Sequence, residues 1–136
     1  MKVLIADDSE EVRERMKMLI SEICGVGAIG EAANVQQAID HIRMQIPDVV
    51  ILDIRMPGGN GIDVLRKIEK NKCLPVVIML TNHPSSQYRR KCMDAGADFF
   101  FDKTREFEKV IEVLRGGIKG RASDLRAFSE RREVRL

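Results

Sequence analysis

Two hydrophobic periods alternate along this chain. Val3-Leu4-Ile5-Ala6, Val49-Val50-Ile51-Leu52 and Val76-Val77-Ile78-Met79-Leu80 are continuously apolar, the pattern of strands buried on both faces. Between such runs, apolar residues recur three and four positions apart, which makes one-sided helical stripes. They are Val12, Met16, Leu19, Ile20 and Ile23; Val35, Ile39, Ile42 and Ile46; Ile62, Leu65 and Ile68; and Phe107, Val110, Ile111 and Leu114. Gly27–Ala32 and Ala97–Asp102 read as further strands. A helix from Pro84-Ser85-Ser86 to about Ala95 has only Tyr88, Cys92 and Ala95 for a stripe, so it is expected to be loosely held or to face a partner.

The punctuation agrees with this division. Asp8 with Glu11 fits a capping box, and Asn34 and Thr104 can cap the helices that follow them. Gly25 suits the end of the first helix, and Pro47 the end of the second. Pro57 and the glycines at 58, 59 and 61 force a loop. Gly25-Val26-Gly27-Ala28-Ile29-Gly30 matches a dinucleotide fingerprint in letters only, because a helix precedes it where a strand is required. Strict strand–helix alternation predicts an α/β fold, a doubly wound five-stranded parallel sheet with right-handed crossovers and helices on both faces.

Composition adds few constraints. At 136 residues the chain has the length of one domain, and 44% hydrophobic with 32% charged residues describes an ordinary globule. No apolar run approaches the roughly 20 residues of a membrane span, and the apolar stretch near Met1 is too short for a signal peptide. Cys24, Cys73 and Cys92 show no pairing pattern, which points to reduced thiols and a cytoplasmic location. The net charge of +2 is uneven: from Gly116 onward six basic residues face three acidic ones, so the remainder carries −1. That body offers no electrostatic reason to expect nucleic acid.

Candidate chemistry emerges from the strand ends. Parallel strands bring all their carboxyl ends to one edge, where open α/β sheets bind ligands. Asp53 alone could be a turn residue, but Asp7 and Asp8 arrive on the same edge, together with Thr81 and Lys103. Clustered carboxylates repel one another unless a cation sits among them, and an all-oxygen site suits Mg²⁺. Beside a hydroxyl and an ammonium, such a site could cradle a transferring phosphoryl group, with Asp53 as a carboxylate nucleophile.

These residues carry a family resemblance. Asp7-Asp8 after the first strand, Asp53-Ile54-Arg55-Met56-Pro57 with Gly61, Thr81, and Gly96-Ala97-Asp98 leading through Phe100 to Lys103 stand in the order of a known domain. Over about residues 2–115 the chain resembles the receiver domain of two-component response regulators. The resemblance implies a flavodoxin-like strand order 2-1-3-4-5. It implies that Asp53 accepts a phosphoryl group from a sensor histidine kinase or a histidine phosphotransfer protein. Asp8 and Asp53 would bind Mg²⁺ with the backbone carbonyl of Arg55, and Asp7 partly through water. Thr81 and Lys103 would bind phosphoryl oxygens, Thr81 and Phe100 would switch, and the surface of helix four, strand five and helix five would change its contacts. A phosphorylation-dependent homodimer is compatible with this.

Arg55 and His83 occupy rim positions that tune phosphoryl lifetime in the family, and Thr104 stands where the family commonly has proline. The expected organisation is a receiver domain over 1–115 and a basic tail or linker over 116–136, with Ala122, Leu125 and Phe128 as a short apolar stripe. A stand-alone receiver that acts only on its own phosphorylation state is the leading reading, and a fragment of a longer DNA-binding regulator the alternative. A haloacid dehalogenase-type phosphatase would need Asp-x-Asp after the first strand, which Asp7-Asp8-Ser9 does not supply.

Overall fold

The computed structural model of the chain describes residues 1–70 and 75–117. Cys73 and the stripe Ala122, Leu125 and Phe128 lie outside the described residues. The chain runs β1 (Lys2–Ala6), α1 (Glu10–Ser21), β2 (Ala28–Ala32), α2 (Val35–Gln45), β3 (Val49–Leu52), β4 (Arg55–Met56), β5 (Gly59–Asn60), α3 (Gly61–Lys70), β6 (Val76–Thr81), α4 (Ser86–Asp94), β7 (Phe99–Asp102) and α5 (Phe107–Gly117).

The main sheet has five parallel strands in the order β2-β1-β3-β6-β7, which is the expected 2-1-3-4-5 when its own strands are counted. Alternation along each strand sends side chains to opposite faces. Leu4, Ala6, Val50, Leu52, Val77, Met79 and Phe100 pack with α2, α3 and α4. Val3, Ile5, Val49, Ile51, Ile78, Leu80, Phe99 and Phe101 pack with α1 and α5. The continuous apolar runs are thus those of a sheet covered on both sides, and Phe99, Phe100 and Phe101 are all core. Truncating a central residue such as Leu52 or Ile78 to Ala costs about 2–5 kcal/mol.

Several local expectations are corrected. Ser9, not Asp8, caps α1, its hydroxyl accepting from Val12 N–H at 3.3 Å. Asp8 is exposed and left for other work. The α1 helix ends at Ser21, so Gly25, at φ 101°, turns the chain after the helix rather than closing it. Asn34 does cap α2, but Ile46 leaves the helical stripe: it is the C-cap, at φ 48° and 64% exposed. Pro47 follows directly and forbids another turn of helix.

Thr104 caps nothing, because α5 starts only at Phe107. The preceding turn is held instead by the Asp102 carboxylate, which accepts from Thr104 N–H at 2.8 Å, and by Glu106, which accepts from Asp102 N–H at 3.1 Å. Among the described residues no peptide bond is cis. The α4 helix is as thinly anchored as its stripe suggests, with Cys92 its one fully buried residue. The loop expected after β3 contains a two-stranded antiparallel ribbon, Arg55 opposite Asn60 and Met56 opposite Gly59. No helix among the described residues is long and apolar enough to cross a membrane.

Candidate functional site at the carboxyl edge of the sheet

Register decides which strand ends meet. Ala6 pairs with Leu52, so Asp7 and Asp53 leave neighbouring strands at the same level. Asp53 N–H donates to Ala6 O at 2.9 Å and Asp7 N–H to Ala32 O at 3.0 Å, which extends the ladder by one residue and holds both backbones rigidly. Thr81 pairs with Asp102, so Lys103 emerges beside the end of β6, its N–H donating to Thr81 O at 2.8 Å.

The side chains converge. Lys103 Nζ donates to Asp7 Oδ2 at 2.5 Å and to Asp53 Oδ2 at 3.1 Å, all three groups being nearly buried. Asp7 Oδ1 accepts from Ser9 N–H and Asp53 Oδ1 from Ile54 N–H, each at 2.8 Å. Both carboxylates are therefore aimed by backbone amides on one side and an ammonium on the other. Burial holds the Asp53 carboxyl above its ordinary range; the positive charge of Lys103 opposes this and the negative charge of Asp7 reinforces it. For Lys103, burial alone would lower the ammonium's pKa, but the hydrogen bond to Asp7 and the charges of Asp53 and Asp7 outweigh it and hold it above the usual value.

Asp8 completes the cluster. Carboxylate oxygens of Asp7, Asp8 and Asp53 lie within 4.8 Å of one another. Among the described residues Lys103 pairs with two of these three carboxylates, Asp7 and Asp53, so acidic groups outnumber the ammonium among them, and all the donors are hard oxygens. This donor set fits Mg²⁺ by both charge and ligand type.

The other expected residues are placed as follows. Thr81 is fully buried at the end of β6, and its Oγ1 accepts from His83 N–H at 3.0 Å. Arg55 and His83 are exposed, one in the ribbon after β3 and one in the loop after β6. Phe100 lies in the core on the α2–α4 side, with the Arg89 guanidinium 6.0 Å from its ring centre. Gly61 opens α3 beneath Asp53: its N–H donates to Ile54 O at 2.7 Å, and a Cβ there would overlap the Asp53 carbonyl. Sequence reasoning missed Arg13 and Glu31, since β2 offers no polar residue at its very end. Arg13 reaches the carbonyl of Asp7 at 2.7 Å and Glu31 at 3.2 Å. The one available signal was a charged residue in the first turns of α1, which a solvated helix face explains equally well.

Comparison with known proteins agrees with this geometry. Residues 3–115 match the model of the response regulator receiver domain. The chain is 33% identical to the response regulator UvrY of Escherichia coli K12 over 126 residues, which cover 90% of this chain and 58% of UvrY. It thus spans little more than half the length of that relative. Among solved structures, a DNA-binding response regulator of the LuxR family from Staphylococcus aureus superposes with a TM-score of 0.76 at 32% identity, covering 82% of this chain and 92% of that one. A two-component response regulator of the LuxR family from Aurantimonas sp. SI85-9A1 gives 0.79 at 26% identity, covering 98% and 97%. With the match running from β1 into the last turn of α5, this chain belongs to the receiver domain family of two-component response regulators.

Proposed function

We propose that the domain, residues 1–115, accepts a phosphoryl group on Asp53 from a phosphohistidine of a sensor histidine kinase or a histidine phosphotransfer protein. The observation that carries this is the double engagement of Lys103 by Asp7 and Asp53 beside Asp8. A carboxylate oxygen of Asp53 attacks phosphorus, the phosphorus–nitrogen bond breaks, and its electron pair stays on the imidazole. The aspartyl phosphate is the product. Asp7, Asp8 and Asp53, with the backbone carbonyl of Arg55, would hold Mg²⁺, which neutralises charge on the phosphoryl oxygens.

The chain's own residues do the rest. Lys103, already bonded to Asp53, pairs with a phosphoryl oxygen once the carboxylate is esterified. The Thr81 hydroxyl turns from His83 N–H toward another phosphoryl oxygen. That movement changes packing at Phe100, which has no hydroxyl and so switches by shape alone. The affected surface is α4, β7 and α5, where the sparse anchoring of α4 allows a small shift to alter partner affinity, including affinity for a second copy of the chain. The domain catalyses only its own phosphorylation and dephosphorylation.

A second reading is supported by coverage. The chain spans 58% of UvrY, and the S. aureus neighbour is described as DNA-binding. On this reading the domain is the receiver portion of a longer DNA-binding regulator, and residues 116–136 begin the linker. Sequencing the reading frame past Leu136 decides between the two. The test of the main reading is incubation with Mg²⁺ and acetyl phosphate followed by intact mass. One added phosphoryl group, absent in Asp53→Ala, is expected; no gain with excess donor and Mg²⁺ overturns it.

A further inference from the structure

We propose that Arg13 is a positioning residue for the cation site, acting through the peptide that joins Asp7 to Asp8. The inference rests on the reading of those two residues as metal ligands. Arg13 stands in the first turns of α1, its own N–H donating to Ser9 O at 3.1 Å. Its guanidinium is divided between two elements. Nη1 donates to Asp7 O at 2.7 Å, and Nε donates to Glu31 Oε1 at 3.2 Å. Glu31 lies in β2 opposite Ile5, one residue before Ala32, whose carbonyl receives the Asp7 N–H. Lys17 Nζ braces the other Glu31 oxygen at 3.0 Å.

The peptide unit is planar, so a fixed carbonyl oxygen fixes the nitrogen and Cα of the next residue as well. Holding Asp7 O therefore orients the start of Asp8. Asp7 has its side chain clamped by Ser9 N–H and Lys103, whereas Asp8 is exposed. Asp8 is the carboxylate whose aim most depends on the Asp7–Asp8 peptide. An isolated surface pair between Arg13 and Glu31 would be worth about 0–1 kcal/mol and would orient nothing. Two features distinguish Arg13: its side chain is only 14% exposed, and its second donor ends on the carbonyl between two acidic residues. Lysine cannot do the same, because one ammonium lacks the rigid fork that spans Glu31 and Asp7 O together.

The test is titration of the isotope-labelled full chain with MgCl₂, following backbone amide shifts of residues 7–9, beside thermal melts in EDTA. Groups that orient metal ligands from behind are typically worth about 10–100-fold in metal affinity, so Arg13→Ala is expected to weaken Mg²⁺ binding roughly tenfold or more. Arg13→Lys should weaken it comparably despite keeping the charge. Glu31→Gln should weaken it less, and should add nothing to Arg13→Ala, since Glu31 acts through Arg13. Lys17→Met should weaken it no more than Glu31→Gln does, since Lys17 reaches Arg13 only through Glu31. A melt in EDTA close to that of wild type separates a lost orientation from lost folding; should Arg13→Ala not fold, Arg13→Lys and Glu31→Gln carry the test. Mg²⁺ affinity within about twofold of wild type in both Arg13 variants overturns the inference alone. Failure of the wild-type chain to bind Mg²⁺ overturns the metal reading with it.

Discussion

Lys103 and Asp7, 96 positions apart in sequence, meet in a 2.5 Å ion pair at the carboxyl edge of the sheet. The same ammonium holds Asp53, so one cation tethers the last strand to the first and third. Removing one partner of a buried pair leaves the others uncompensated, at a cost of about 3–5 kcal/mol. Lys103→Met is therefore expected to lower unfolding stability by about 3 kcal/mol in EDTA at neutral pH, with partial recovery in Mg²⁺. Urea unfolding in the two buffers checks this, and unchanged stability would count against the tether.

Asp53 gives a pH dependence of definite sign. Its folded pKa is raised above the ordinary 3.8, chiefly by burial. A carboxyl of this kind favours the folded state only while protonated, so stability is lost as pH rises from the unfolded value through the folded one. Asp53→Asn removes the ionisation. In EDTA its melting temperature should match wild type at low pH, rise above it as pH passes through that window, and then level off. A difference independent of pH would refute the assignment.

Gly61 is required by a close approach of chains. A Cβ there would overlap the Asp53 carbonyl and lie 3.1 Å from Met79 Cε, so the strand end that carries Asp53, or α3, must shift. Gly61→Ala is expected to cost about 1–3 kcal/mol. It should also slow acetyl phosphate labelling of Asp53, as read by intact mass. Wild-type labelling would show that the strand end does not move.

Two cysteines should react differently. Burial pushes the Cys92 thiol up to about 11, while Cys24 is exposed. In a Cys73→Ser background at pH 8, iodoacetamide should modify Cys24 faster than Cys92 by on the order of a hundredfold, since the thiolate is the nucleophile. Peptide mapping reads the ratio, and denaturation should abolish it.

Arg55 and His83 are exposed on the two loops that flank Asp53 and Thr81. If their bulk shields the aspartyl phosphate from water, Arg55→Ala and His83→Ala should each hasten Mg²⁺-dependent dephosphorylation several-fold, about 1 kcal/mol of barrier. Unchanged or slower decay in both variants would sink the idea.

Much of the fold was legible because burial writes itself into periodicity. The runs at Val49–Leu52 and Val76–Thr81 are short, apolar and bounded by turn residues, which suits strands covered on both faces, and the helical stripes supplied the covers. The errors fall at element ends. Asp8 and Ser9 are both good caps, and only the path of the chain after β1 decides that Ser9 takes the amide. Ile46 continues the apolar spacing of α2, yet it is the left-handed, exposed C-cap of that helix, and Pro47 after it cannot continue the helix.

The site divides in the same way. By itself the sequence determined which chemistry reaches the carboxyl edge, because strand ends in a parallel sheet share one edge whatever the details of packing. It therefore placed Asp7, Asp8, Asp53, Thr81 and Lys103 on one rim. Register and side-chain geometry belong to the tertiary structure alone. Only the pairing of Ala6 with Leu52 levels Asp7 with Asp53, only the turn after β7 carries Lys103 to both, and only the packing of α1 against β2 brings Arg13 and Glu31 behind the Asp7 carbonyl. Contacts between residues tens of positions apart leave no periodic trace in a single chain, since each partner taken alone is an ordinary surface charge.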